Sequence, residues 1–234
     1  MAKTGYSSLG PGLSTAEQVA GFSYLPVYVV FLSWGLNALS QWLGLRLTDI
    51  QLNLCYFAVN FLAICLIFHR FLWRSFRAIR FWELVQALIL GFVLYYAGNL
   101  LLSRLLALLG AQVVAYNDDT IRGLVHQNRP MMMVCSLLIA PVVEETLVRG
   151  LMFGTLRRKN RWLAYGVSVV FFALIHVWKY LLTADAGSVL LSAIPYLPAG
   201  IALAWTYEKA GTVWASILLH ALINAMAFGL MPPM

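Results

Sequence analysis

Charged residues are scarce in this sequence. Only 11% of the 234 residues are Asp, Glu, Lys or Arg, whereas 62% are hydrophobic. Soluble domains carry about 25% charged residues, and a soluble fold of this length could not bury so much apolar surface in one core. Lipid is therefore the expected solvent, and it admits only helices or closed barrels. The apolar runs are continuous, without the alternation of barrel strands, which predicts membrane-spanning helices.

Cysteine is also rare, and its placement excludes a disulfide framework. Cys55, Cys65 and Cys135 all lie inside apolar segments, without pairing or metal-ligand spacing. The N-terminal sequence lacks the short hydrophobic core and small-residue site of a cleavable signal peptide. We therefore expect the first spanning helix to act as an uncleaved signal. No internal repeat and no soluble domain is visible.

Seven apolar segments predict an all-α, polytopic transmembrane helix bundle of about seven spanning helices. They cover residues 21–45, 50–73, 82–109, 131–156, 162–182, 188–207 and 212–230. Residues 1–20 form a polar N-terminal segment in which Ser14 and Glu17 predict a capping box. Residues 21–234 are expected to form a single transmembrane domain. The segment 110–130 is predicted either to lie on the membrane surface or to be an ordinary connecting loop.

The net charge of +7 comes largely from two clusters between apolar segments. One consists of Arg70, Arg74, Arg77 and Arg80, and the other of Arg157, Arg158, Lys159 and Arg161. Such clusters are typical of cytoplasmic loops under the positive-inside rule, not of a nucleic-acid surface. With seven spans, both clusters, Lys3 and the Glu208–Lys209 turn fall on one side. We expect an integral protein of a prokaryotic cell membrane, with its N-terminus cytoplasmic and its C-terminus outside. Membrane lipid is then an expected partner, and nucleic acid is not.

Very few ionisable residues lie within the predicted spans, where they are costly and usually functional. The fourth span contains Glu144, Glu145 and Arg149, the fifth His176, and the seventh His220. Glu145 and Arg149 are four residues apart and are expected to pair on one helix face. Glu144 points about 100° away and has no counter-charge on its own helix. Imidazoles on other helices are its expected partners.

Pro141 precedes Glu144 by three residues and is expected to leave the Leu137 carbonyl without its usual donor. A kink there would admit water beside Glu144. Each polar residue alone also has a structural interpretation. The Glu145–Arg149 pair could fix the packing between helices, each histidine could make a structural hydrogen bond, and Asn224 could form a hydrogen bond between helices. Together they favour a working base at Glu144 beside a structural acid at Glu145.

Three short motifs contain these residues and lie in order on three apolar segments. They are E-E-x-x-x-R at Glu144, Glu145 and Arg149, F-x-x-x-H at Phe172 and His176, and H-x-x-x-N at His220 and Asn224. The combination, over about residues 131–230, resembles the CPBP intramembrane protease family. That family includes the CAAX-prenyl proteases of the Rce1 type and bacterial bacteriocin-processing or Abi proteins.

The resemblance implies an intramembrane endopeptidase that cuts a membrane-associated or lipidated peptide or protein. Glu144, assisted by His176, would activate a water, and His220 and Asn224 would stabilise the oxyanion. Glu145, Arg149 and Phe172 would support these four. The substrate stays open between a prenylated CaaX protein and another peptide or membrane protein.

Two alternatives remain open at this point. Glu144, His176 and His220 form a possible zinc-ligand set, although no H-E-x-x-H is present, and the resemblance favours a glutamate protease without a cofactor. A non-catalytic scaffold, an immunity protein or a transport-associated protein could also use the same polar residues. A transporter usually shows paired repeats, which this sequence lacks.

Overall fold

The structure, a computed structural model, describes residues 10–229, and within that range it is helical without strands. The eight helices are α1 Thr15–Trp42, α2 Asp49–Arg77, α3 Phe81–Leu108, α4 Tyr116–Gln127, α5 Arg129–Arg157, α6 Arg161–Leu182, α7 Ala186–Ala210 and α8 Val213–Gly229. Six of them, all except α4 and α8, are long and apolar enough to cross a membrane. Helix α8 is a shorter apolar helix of 17 residues, near the lower limit of about 17 residues for a span. The predicted polytopic helical bundle is confirmed.

The helices extend a few residues beyond the hydropathy segments because polar side chains cap them. Ser14 accepts a hydrogen bond from the Glu17 N–H, and the Glu17 carboxylate accepts one from the Ser14 N–H, which confirms the capping box. Helix α1 therefore begins inside the predicted polar segment 1–20. Lys3 and the last residue of the seventh predicted span, Leu230, lie outside the described residues.

The segment 110–130 contains a helix, α4, and is not an irregular loop. Leu124 and Val125 on this helix are buried against Met132 at the start of α5 and Phe228 at the end of α8. Asp118 and Asp119 lie in its first turn, where carboxylates interact favourably with the helix dipole. This amphipathic helix thus covers one end of the bundle.

Helix α5 is the central helix. In its most apolar stretch of 18 residues, 56% of the residues are buried, compared with 11% in the corresponding stretches of α2 and α3. Its Leu147 and Leu151 belong to the main core cluster, together with Phe71 of α2. Gly150 allows the Phe71 ring to approach, since a Cβ there would come within 2.8 Å of the ring. The charged motif on α5 is therefore held in the middle of the bundle.

Ion pairs join several helices at one end of the bundle. Arg74 of α2 contacts Glu17 of α1 at 2.9 Å. Glu208 of α7 contacts both Arg157 of α5 and Arg161 of α6. Thr212, four residues after Glu208, donates to the Ser75 carbonyl of α2 at 2.8 Å. The two arginine clusters therefore lie at the same end, which we call the arginine end.

Candidate active site

The four predicted catalytic side chains line one cavity of about 890 Å³. Glu144 and Ser136 come from α5, His176 comes from α6, and His220 and Asn224 come from α8. Residues of α1, α2, α4 and Tyr196 of α7 complete the walls. The structure thus brings together four predicted catalytic residues that span 80 positions of the sequence.

Glu145 and Arg149 form the expected pair at the back of the site. Arg149 Nη1 donates to Glu145 Oε1 at 3.0 Å, and both side chains are fully buried. Arg149 Nη2 donates to the Gly200 carbonyl on α7 at 3.0 Å, and the guanidinium lies 4.4 Å from the centre of the Phe172 ring. These contacts bind α5 to α6 and α7, and they make Phe172 a core aromatic.

His220 contacts Glu145, which differs from the expectation that the imidazoles would pair with Glu144. His220 Nδ1 lies 2.9 Å from Glu145 Oε1. The two carboxylates point in different directions on α5, and the packing of α8 places its imidazole beside Glu145. Because a carboxylate only accepts hydrogen bonds, His220 Nδ1 carries the hydrogen and donates it. The Nε2 atom of His220 is left for other partners.

Glu144 faces His176 across a gap that is too wide for a hydrogen bond. Glu144 Oε2 and His176 Nε2 are 3.8 Å apart, and both side chains are 16% exposed. Among residues 10–229, Glu144 Oε2 has no hydrogen-bond donor. His176 Nδ1 lies 2.7 Å from the Phe172 carbonyl, which only accepts, so Nδ1 carries the hydrogen. In the neutral ring, the basic lone pair therefore belongs to Nε2 and faces Glu144.

Asn224 is bound to a carbonyl that Pro141 leaves without a donor. Helix α5 has a π turn over Cys135–Ile139, in which the Ala140 N–H bonds to the Cys135 carbonyl five residues earlier. In this register Pro141 would bond to Ser136, but proline has no N–H. The π register therefore leaves the Ser136 carbonyl without a backbone donor from position 141. The expectation for the Leu137 carbonyl, which rests on α-helical spacing, stays a prediction. Asn224 Nδ2 donates to the Ser136 carbonyl at 2.8 Å.

Tyr196 of α7 is a site residue that the sequence analysis missed. Its ring stacks on His176 with centroids 4.4 Å apart, and its hydroxyl donates to Asp118 of α4 at 2.9 Å. The only signal in the sequence was the position of this hydroxyl between Pro195 and Pro198 in an apolar span. Tyr196 thereby connects the covering helix α4 to His176.

No three His, Cys, Asp or Glu side chains within residues 10–229 converge on a possible metal position. The alternative zinc set combined Glu144, His176 and His220. His220 is bonded to Glu145, and Glu144 and His176 are 3.8 Å apart. These ligands would have to move before they could bind one ion.

Comparison with known proteins supports the resemblance that was based on the three motifs of residues 131–230. Residues 126–226 match the family model described as Rce1-like, type II CAAX prenyl endopeptidase. The "putative membrane peptidase YdiL" of Bacillus subtilis is 30% identical over 101 residues, which cover 43% of this chain and 37% of the relative. The "UPF0177 protein YaiF" of Lactococcus lactis is 32% identical over 102 residues, which cover 42% and 40%. No solved structure matches the chain.

The match contains all three motifs and spans about two fifths of the length of these curated relatives. The family model is described as an endopeptidase, and one of the two relatives is named a putative membrane peptidase. The resemblance to the Rce1-type proteases is therefore confirmed as a similarity over residues 126–226, in a chain whose described residues include six helices long and apolar enough to cross a membrane.

Proposed function

We propose that this protein is an intramembrane endopeptidase of the glutamate type. The observation that carries the proposal is the opposition of Glu144 Oε2 and His176 Nε2, 3.8 Å apart at the wall of the cavity. The direct test is whether cleavage of a reporter peptide requires Glu144. The proposed substrate is a membrane-associated peptide or protein, lipidated or not, because apolar side chains such as Trp34, Leu36 and Trp178 line the cavity beside the polar ones.

The first step is activation of a water between two acceptors. A gap of 3.8 Å allows one water to donate one hydrogen to Glu144 Oε2 and the other to His176 Nε2, each at about 2.8–2.9 Å. Glu144 takes a proton as the water oxygen attacks the scissile carbonyl. His176 accepts the water's other hydrogen through Nε2 and thereby orients the water. General-base catalysis of this kind is worth about 10²–10⁴-fold.

The second step is stabilisation of the tetrahedral oxyanion by His220 and Asn224. The Asn224 amide has two N–H groups, one of which is bound by the Ser136 carbonyl, and the other serves the oxyanion. Protonated His220 donates through Nε2 while Glu145 accepts its Nδ1–H. The proton held by Glu144 then passes to the leaving amine as the C–N bond breaks. The second proton of the water, left on the new carboxyl group, passes through Glu144 to the amine, which gives a carboxylate and an ammonium group.

The buried charge of Glu145 is compensated. Arg149 donates to this carboxylate at 3.0 Å and His220 donates at 2.9 Å. A low-dielectric interior tolerates such a paired charge, whereas an uncompensated buried charge is strongly destabilising. Glu145 and Arg149 therefore support the site without touching the substrate.

Replacing Asn224 with Ala is expected to slow cleavage by about 10²–10³-fold, because it removes one oxyanion donor. It also leaves the Ser136 carbonyl without the Asn224 donor, a loss of about 1–3 kcal/mol in stability. The measurements are cleavage of a reporter peptide and thermal melting in detergent. Cleavage by Asn224→Ala at the parent rate would refute the oxyanion role.

The double variant Asn224→Ala with Pro141→Ala separates the two effects of Asn224. Alanine at position 141 restores an N–H that can bind the Ser136 carbonyl. We expect the double variant to recover melting temperature relative to Asn224→Ala while its cleavage stays slow. Recovery of cleavage together with stability would show that Asn224 is structural only.

Chelation tests the zinc alternative directly. We expect the purified protein to keep its activity after treatment with EDTA and 1,10-phenanthroline, and to contain no stoichiometric zinc by elemental analysis. Loss of activity that added zinc restores would instead assign Glu144, His176 and His220 as ligands, with a metal-bound water as the nucleophile.

A further inference from the structure

The cavity occupies the end of the bundle opposite the arginine end. On α2 its lining residues fall within 49–60, whereas Arg70, Arg74 and Arg77 lie near the other end of that helix. On α5 they fall within 132–144, away from Arg157, and on α6 within 175–182, away from Arg161. On α8 they fall within 220–228, away from the start of that helix at Val213. Four helices therefore agree on the position of the cavity.

The two ends differ in basic charge. The arginine end has nine Lys or Arg residues, namely Arg70, Arg74, Arg77, Arg80, Arg157, Arg158, Lys159, Arg161 and Lys209. The cavity end has five, namely Arg46, Arg104, Arg122, Arg129 and Lys179, together with the acids Asp49, Asp118, Asp119 and Asp185. Short loops rich in Lys and Arg remain in the cytoplasm during membrane insertion, and acidic residues contribute little to this preference.

The connections at the arginine end are of the kind that obeys this rule. Only residues 78–80 separate α2 from α3, and only residues 158–160 separate α5 from α6. Both connections are basic and are flanked by further arginines within the last turns of the helices. Two independent loops thus specify the same orientation.

From this asymmetry we infer that the cavity opens on the extracytoplasmic side of the membrane. Its substrates are then extracytoplasmic segments of membrane or exported proteins, and not soluble tails presented from the cytoplasm. The sidedness follows from charge and geometry alone. The substrate class rests in addition on the proposed endopeptidase function.

The polar mouth of the cavity is consistent with access from water on that side. Asp119 of α4 and Asn37 of α1 are exposed and line the cavity. Lys159 and Arg77 are exposed at the arginine end. These four positions provide two matched pairs for a labelling experiment.

The experiment measures the accessibility of single cysteines in intact bacterial cells. Cys55, Cys65 and Cys135 are first replaced with Ala, and the full chain is then given one cysteine by Asp119→Cys, Asn37→Cys, Lys159→Cys or Arg77→Cys. A membrane-impermeant maleimide should label Asp119→Cys and Asn37→Cys in intact cells. It should label Lys159→Cys and Arg77→Cys only after permeabilisation. The reverse pattern would overturn the inference.

A cleavage arm distinguishes failure of the sidedness from failure of the proposed function. The same reporter segment is fused to a membrane anchor on either the cytoplasmic or the extracytoplasmic side. We expect only the extracytoplasmic reporter to be cut. Cleavage of the cytoplasmic reporter alone, with no labelling of Asp119→Cys in intact cells, would refute the sidedness and leave the protease standing. Labelling as expected without cleavage of either reporter would refute the protease and leave the sidedness standing.

Discussion

Replacing Glu144 with Gln is expected to reduce cleavage by about 10²–10⁴-fold. Glutamine keeps the size of the side chain but cannot take a proton from the water between Glu144 and His176. Among the described residues, Glu144 Oε2 has no hydrogen-bond donor, so neutralising it removes no protein contact of that atom. The variant should therefore melt at or above the temperature of the parent. Cleavage of a reporter peptide and thermal melting in the same detergent are the two measurements.

The matched control for Glu144→Gln is Glu83→Gln. Glu83 pairs with Arg80 at 2.6 Å, but the side chains are 37% and 62% exposed. Exposed pairs of this kind contribute about 0–1 kcal/mol, so both cleavage and melting should match the parent. If the Glu144→Gln variant cleaves the reporter as fast as the Glu83→Gln variant does, the role of Glu144 as general base is contradicted.

Removing Arg149 alone should destabilise the fold strongly. Arg149→Met leaves Glu145 with His220 as its remaining partner and removes the bond to the Gly200 carbonyl. Breaking a buried ion pair in this way costs about 3–5 kcal/mol. The variant should express poorly and melt early. Arg104→Met, which removes an exposed arginine from α3, should melt like the parent.

The double variant Glu145→Gln with Arg149→Met should recover much of this stability, because a neutral pair replaces the isolated charge. Its cleavage should remain low, since the carboxylate that accepts the His220 Nδ1–H is gone. Melting curves of the two single variants and the double variant form a thermodynamic cycle that measures the coupling. Additive losses would contradict the ion pair as the main stabilising contact of Arg149.

Much of the fold could be predicted from the sequence because lipid leaves few choices. Long apolar runs without alternation specify spanning helices, and the seven predicted segments correspond to α1, α2, α3, α5, α6, α7 and α8. The Glu145–Arg149 pair was predictable because residues four apart share a helix face. The convergence of Glu144, His176 and His220 was predictable because ionisable side chains in lipid gather around a shared polar interior.

Other features depend on packing that no local pattern reveals. The sequence could not say which imidazole would face which carboxylate, since that is decided by how α6 and α8 lie against α5. The π turn and the bond from Asn224 to the Ser136 carbonyl could not be predicted, because a change of helical register is invisible in the spacing of Pro141. Tyr196 was missed because one hydroxyl in an apolar span has many structural uses.

The central claim is that the cavity around Glu144 hydrolyses a peptide bond. The most direct measurement is mass spectrometry of a reporter peptide incubated with the purified protein in ¹⁸O-labelled water. The account predicts two fragments, with one ¹⁸O in the new terminal carboxylate, from the parent protein and only traces from Glu144→Gln. Equal labelled fragments from both proteins would contradict the account. If the parent protein yields no fragments, and a membrane partner binds the parent but not the Glu144→Gln variant, the account is contradicted in favour of a non-catalytic scaffold.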